Sequence, residues 1–229
     1  MEEQVSTQSL LSTAKYNMVI GLVLCWGFSV NWLMVTFMNP MAVLEVVNGW
    51  IVLILYSVSS SLGYYLFVTY NTPRMSFIGY NLVVLPLGFV LSLALYDVAP
   101  TLLFFALGIA FFLTLLMMLF GYLFPSFFQK IYSVLAVALL GVVIIELFQT
   151  FVLGVPQEWI EWVVIGVFCG YIGYDWGVAN QVEKTLDNAI DSAAMLYMDI
   201  IILFIRIVKI IAQIAGKKVL HRVVDKAKI

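Results

Sequence analysis

Charge is scarce in this sequence. Only 10% of its 229 residues are Asp, Glu, Lys or Arg, where a soluble domain carries about 25%. There is one histidine, His221, and there are two cysteines, Cys25 and Cys169. A Ser/His/Asp triad or a zinc centre needs a histidine among convergent ligands. His221 lies in a charged tail, so neither chemistry is expected. The cysteines sit inside apolar runs and read as buried, unreactive thiols. The net charge of −2 leaves no basic excess for a nucleic-acid partner. A phosphate-binding loop, a GxGxxG after a strand and an HExxH pair are all missing. No enzyme and no cofactor are expected. The opening MEEQVSTQSLLSTAK lacks the basic-then-apolar layout of a cleaved signal peptide, so the first apolar segment is expected to stay in the protein.

Hydrophobicity is what the sequence has in excess. Apolar residues make up 64% of it and its mean hydropathy is +1.07, against about 45–50% apolar in soluble domains. A chain of this size has no interior large enough to hide that surface, so lipid must be the solvent for most of it. Aromatics, at 15%, suit membrane interfaces. With about 20 residues per crossing, seven segments emerge at 16–38, 44–69, 76–96, 101–124, 130–153, 158–179 and 192–215. They are separated by short breaks such as MNPM, YNTPRM and GVPQEW. In lipid every backbone polar group must be satisfied internally, which demands helices, and the segments are too continuously apolar for barrel strands. The expected fold is an all-α integral membrane protein of seven hydrophobic helices, the last packed centrally or re-entrant. It forms one polytopic domain over 1–229, with a polar segment 1–15 and a basic tail 216–229.

The basic residues suggest an orientation. Lys15, Arg74, Lys130 and Lys184 fall on one side of the seven segments. The opposite loops hold Asp97, Glu158 and Glu161 and no basic residue. The Lys/Arg-rich side is the cytoplasm, which puts the N-terminus inside a multi-pass protein of the cell membrane. The basic tail leaves the side of the C-terminus open.

Six charges are carried into apolar surroundings: Glu45, Glu146, Asp175, Asp199, Arg206 and Lys209. Asp175 lies eight residues before Glu183 and Asp199 eight residues after Asp191, so the two are symmetric about Asp187. Each is about 12 Å along its helix from the polar link. If segments six and seven form an antiparallel hairpin, the two carboxyls share one depth. Two facing carboxyls in a low dielectric cannot both ionise cheaply, and they can share a proton. Both ionised, they would attract a hard, oxygen-seeking cation such as calcium. The pair therefore reads as a proton sensor, a cation site or a helix latch, with satisfaction by Arg206, Lys184 or backbone donors as the plain structural alternative. Arg206, seven residues after Asp199, either pairs with the aspartates or snorkels, and Lys209 snorkels. Glu45 suits a helix N-terminus. Glu146, two-thirds along segment five, reaches toward an interface beside Gln149. Pro86 interrupts segment three, and the small residues of GYIGYDWG allow a neighbouring helix close to Asp175.

The closing stretches YIGYDWGVANQ and AIDSAAMLYMDIIILFIRIVKII resemble the end of the Bax inhibitor-1 (transmembrane Bax-inhibitor-motif) family. The matching positions are Tyr174, Asp175, Leu196, Tyr197, Asp199, Leu203, Phe204 and Arg206, together with Glu45 in VLEVV. Arg74 in NTPRMSF is the candidate for the family's arginine that bonds to the aspartate pair. The chain looks like a divergent bacterial member. The resemblance implies a calcium-permeable, pH-sensitive leak in which Asp175 and Asp199 act as sensor and gate. Calcium and protons would be its partners within the lipid bilayer. Two other functions stay open: a proton-coupled solute transporter using Glu146 and Glu45, and a non-transporting membrane regulator of a protease or stress response.

Overall fold

The computed structural model describes residues 9–149, 152 and 158–227, with side chains outside that description at 158 and beyond 216. Among the described residues there are eight helices and no strand. In chain order they are α1 (Thr13–Phe37), α2 (Pro40–Val46), α3 (Gly49–Thr69), α4 (Pro73–Ala94), α5 (Pro100–Leu123), α6 (Pro125–Phe148), α7 (Glu158–Gln181) and α8 (Leu186–Ala227). Six of them, α1 and α3 to α7, are long and apolar enough to cross a membrane. The protein is an all-α membrane protein. Its surface is inverted relative to a soluble domain: Phe104, Trp50 and Phe111 are 75%, 65% and 64% exposed, as side chains facing lipid should be.

Six helices rather than the expected seven hydrophobic ones are apolar enough to span among the described residues, so the count of seven is not confirmed. Segment two divides at Asn48. The Asn48 side chain accepts from the Trp50 backbone N–H at 2.9 Å and starts α3 as its N-cap, leaving α2 as a separate short helix. Segment seven lies within α8, where Asp199, Arg206 and Lys209 keep it out of the apolar class. Because α8 runs unbroken from Leu186 to Ala227, it does not fold back as a re-entrant segment would. The expected polar link Glu183–Asp191 is shorter, since α8 has already begun at Leu186 and only 182–185 connect α7 to it. Segment five begins earlier than expected, at Pro125, and Lys130 is therefore helical. The rest of that segment and the GVPQEW break fall partly outside the described residues, as does much of 1–15.

Proline explains half of the helix starts among the described residues. Pro40, Pro73, Pro100 and Pro125 each open a helix, where the missing N–H is one of those that has no intrahelical partner anyway. Pro86 is different, because it lies inside α4. It withholds the N–H that would bond the Leu82 carbonyl four residues back. Ser59 of α3 supplies the replacement, its hydroxyl donating to Leu82 O at 2.8 Å.

The helices form two compact units. Unit 1 comprises Met1–Tyr96 with Ala179–Tyr197, and unit 2 comprises Asp97–Val178 with Met198–Ile229. In unit 1, α3 and α4 cross at glycines: a Cβ on Gly79 would lie 2.5 Å from the Gly63 carbonyl oxygen. Tyr80 of α4 donates to Val23 O of α1 at 2.9 Å and meets the Tyr197 ring edge-on at 5.3 Å. Asn31 of α1 donates to the Tyr197 hydroxyl. In unit 2, α7 packs through its own glycines, and that packing positions the site described next.

Candidate functional site

The run GYIGYDWG puts Gly170, Gly173 and Gly177 at spacings of three and four, along one face of α7. Each gap is filled by a neighbour. A Cβ at Gly170 would come 2.6 Å from Leu135 Cδ2, one at Gly173 2.5 Å from Phe128 Cζ, and one at Gly177 3.2 Å from the Gly121 carbonyl oxygen. Helices α5 and α6 thus pack directly on α7 beside Asp175. Tyr132 of α6 stacks on Tyr174 at 4.4 Å and meets Tyr171 edge-on at 6.4 Å.

Asp175 of α7 and Asp199 of α8 hydrogen-bond to one another through their carboxyl groups. Asp199 is 7% exposed, and its Oδ2 is buried without a further partner. An ionised carboxylate only accepts, so a hydrogen bond between two carboxyls requires one proton between them. Tyr171 lies within electrostatic reach of both acids and Tyr174 of Asp175. No group of three or more His, Cys, Asp or Glu side chains is placed to hold a metal among the described residues. The pair by itself offers carboxylate oxygens from two residues.

The charges expected to support the pair are placed differently. Arg206 is committed to two glutamates: its Nη2 bonds Glu146 Oε2 at 3.0 Å, and its Nη1 bonds Glu146 Oε1 and, at 3.0 Å, Glu161 Oε2. Lys209 completes the group, with Nζ 3.4 Å from Glu161 Oε1. The reason is distance along α8: seven residues carry Arg206 about 10 Å beyond Asp199, to the level where α6 ends and α7 begins. Glu146 is near the C-terminal end of α6, not two-thirds along its segment. Glu161 was counted with the loop acids by its position before the apolar run, yet it is 6% exposed inside α7. A second acid three residues after Glu158, already flanked by Ile160 and Trp162, was the available signal. Glu45 is exposed on α2 and Arg74 is exposed in the first turn of α4. Neither makes a hydrogen bond or ion pair among the described residues.

Six apolar helices, a carboxyl pair and a four-member charge cluster define a polytopic membrane protein. The family model described as inhibitor of apoptosis-promoting Bax1 matches residues 8–216, and the chain belongs to that family. No curated protein matches the chain.

Proposed function

We propose that this protein is a pH-sensitive calcium leak of the cytoplasmic membrane, gated by Asp175 and Asp199. The observation that carries this reading is the hydrogen bond between the two carboxyls, because it joins α7 to α8 only while a proton is held there. Loss of that proton leaves two anions in contact where little water screens them, and their repulsion separates the helices. Bulky Tyr132, Tyr171 and Tyr174 wall the α6 side of the pair, so the separation is resolved on α8.

Calcium is the cargo, not a resident ion. It prefers oxygen ligands and tolerates irregular coordination, and the ionised pair supplies carboxylates at the point where the latch opens. Family membership supports a channel-like role. The positions of Lys15, Arg74 and Lys184 support a cytoplasmic N-terminus. A proton-coupled carrier using Glu146 and Glu45 has less support, since Arg206 holds Glu146 and Glu45 is exposed on α2.

The test is calcium efflux from vesicles reconstituted with the purified protein, followed over a pH series. Efflux should depend on pH in the wild type and lose that dependence in Asp175→Asn and Asp199→Asn. Efflux and pH response unchanged in both variants would overturn the gate. Saturable solute uptake driven by a pH gradient would favour the carrier, and no flux of any kind would favour a non-transporting regulator.

A further inference from the structure

Unit 1 contains a second pair of acids that the gate does not use. Ser76, in the first turn of α4, is fully buried, and its hydroxyl donates to Asp187 Oδ1 of α8 at 2.8 Å. Asp187 is 2% exposed. Asp191 follows one helical turn later, near the same Ser76 hydroxyl. We propose that Ser76, Asp187 and Asp191 form a proton-operated clamp between α4 and α8, closed while Asp191 is a carboxylic acid and loosened when it ionises.

A serine hydroxyl has one proton to donate and lone pairs to accept. Its proton is directed at Asp187, so the hydroxyl has none left to satisfy an ionised Asp191 one turn away, where Asp187 adds a like charge. A second observation agrees: Asp191 Oδ1 is buried and has no partner. On an ionised carboxylate that oxygen would be a charged, unsatisfied acceptor, which is costly.

Among the described residues no cation bonds Asp191. From α1, Tyr16 faces it, and the Tyr16 hydroxyl is engaged by Ser192 Oγ at 2.9 Å and Asn188 O at 3.2 Å. From the 182–185 link, Lys184 places Nζ 4.6 Å from the centre of the Tyr16 ring and bonds Ala179 O at 2.8 Å. From α8 the charged neighbour is Asp187, a like charge. Asp191 precedes the apolar segment 192–215, at the polar end of α8. Burial pushes its carboxyl up to about 7, opposed by the nearby Ser76 hydroxyl and reinforced by the like charge of Asp187. Because the folded value is raised, the stabilisation is fully present below the unfolded aspartate value of about 3.9 and is lost as pH rises through about 7. Asp175 and Asp199 belong to unit 2, so this device is separate from the proposed gate.

The experiment uses the full chain in lipid nanodiscs, with His221→Gln as background to remove the one imidazole of the sequence. Hydrogen–deuterium exchange over 186–192 should show protection falling by up to about tenfold per pH unit between about 5 and about 7, then levelling. The infrared band of a protonated carboxyl should lose one component as pH rises through about 7. Asp191→Asn stays uncharged at every pH, so protection should stay high and flat and the Asp191 component of that band should be missing. Ser76→Ala removes the bridging group, so protection should be low and flat. The double variant Asp175→Asn with Asp199→Asn should leave the local pH step intact. The clamp is overturned by a wild-type pH step persisting in Asp191→Asn or Ser76→Ala, or by disappearance of the step in the unit 2 double variant. Should Asp191→Asn fail to fold, Ser76→Ala alone decides the question.

Discussion

Arg206 grips Glu146 with both terminal nitrogens of its guanidinium, and one of those nitrogens also bonds Glu161. Lys209 sits on the other oxygen of Glu161. Two cations and two anions thus balance across α6, α7 and α8, each of which is otherwise strongly apolar. This is how a helix carrying Arg206 and Lys209 is accommodated, since an ion in apolar surroundings must be paired and hydrogen-bonded. Arginine suits the position because its fork can meet a carboxylate with two parallel bonds while reaching a second acid.

Removing Arg206 should therefore be far worse than its own burial suggests. Arg206→Leu leaves Glu161, only 6% exposed, with Lys209 alone, and leaves Glu146 without the guanidinium fork. The expected loss is about 3–5 kcal/mol, the range for breaking one side of a buried ion pair. Arg206→Lys keeps the charge but not the fork and should fall between the two. Unfolding in detergent by a chemical denaturant measures both, and a stability for Arg206→Leu equal to that of the wild type would contradict the pairing.

The contrast between Asp199 and Arg206 shows what the sequence could reveal. The meeting of Asp175 and Asp199 was legible because helical rise converts equal sequence separations into equal depth, and α7 and α8 are regular through both residues. The partner of Arg206 was not legible by that rule. It depends on where α6 ends and α7 begins, and GVPQEW looked like a loop that swept Glu161 out with it. The break at Asn48 was hidden for a related reason, since a single capping side chain interrupts an apolar run without changing its average hydrophobicity. The aspartates flanking Ser76 were read as ordinary link residues because the helix start at Leu186 is a tertiary fact. Nothing in spacing alone brings α4 to that turn.

The glycine contacts of α7 predict an uneven response to one substitution. Gly121→Ala would drive a methyl group against the Gly173 backbone, its Cβ 2.9 Å from the Gly173 carbonyl carbon, and a carbonyl cannot rotate away as a side chain can. Helices α5 and α7 must then part, at an expected cost of about 1–3 kcal/mol. Gly166→Ala, in the same α7, meets nothing within 4 Å and should be neutral or gain up to about 1 kcal/mol from helix propensity. Thermal unfolding of the two variants in one detergent compares them directly. Equal melting temperatures would show that the close crossing is not what holds the two helices.

Asn31 and Tyr197 offer a test of buried polar satisfaction in unit 1. Asn31 is 3% exposed, its amide nitrogen donates to the Tyr197 hydroxyl, and its Oδ1 already lacks a partner. Tyr197→Phe keeps the ring against Tyr80 and Phe28 but strands the amide, which should cost about 1–3 kcal/mol. Adding Asn31→Leu removes the stranded group and should recover much of that loss, because replacing both partners by apolar groups is nearly neutral. A double variant less stable than Tyr197→Phe would mean that Asn31 is held by something other than Tyr197.

Ser59 and Pro86 should be coupled although neither bonds the other. Ser59 donates to the Leu82 carbonyl, which Pro86 leaves free by lacking an N–H. In the wild type, Ser59→Ala removes the replacement donor that the described residues supply to that carbonyl, at a cost of about 1 kcal/mol. Pro86→Ala restores the intrahelical donor, so the same Ser59→Ala change should then cost close to nothing. The double-mutant cycle isolates the coupling, expected at about 1 kcal/mol. It is best read by denaturant unfolding, because both single variants keep the helix and the apolar face of α4. If the two changes simply add, the Ser59 hydroxyl is an incidental contact and the α4 backbone is satisfied at Pro86 by other means.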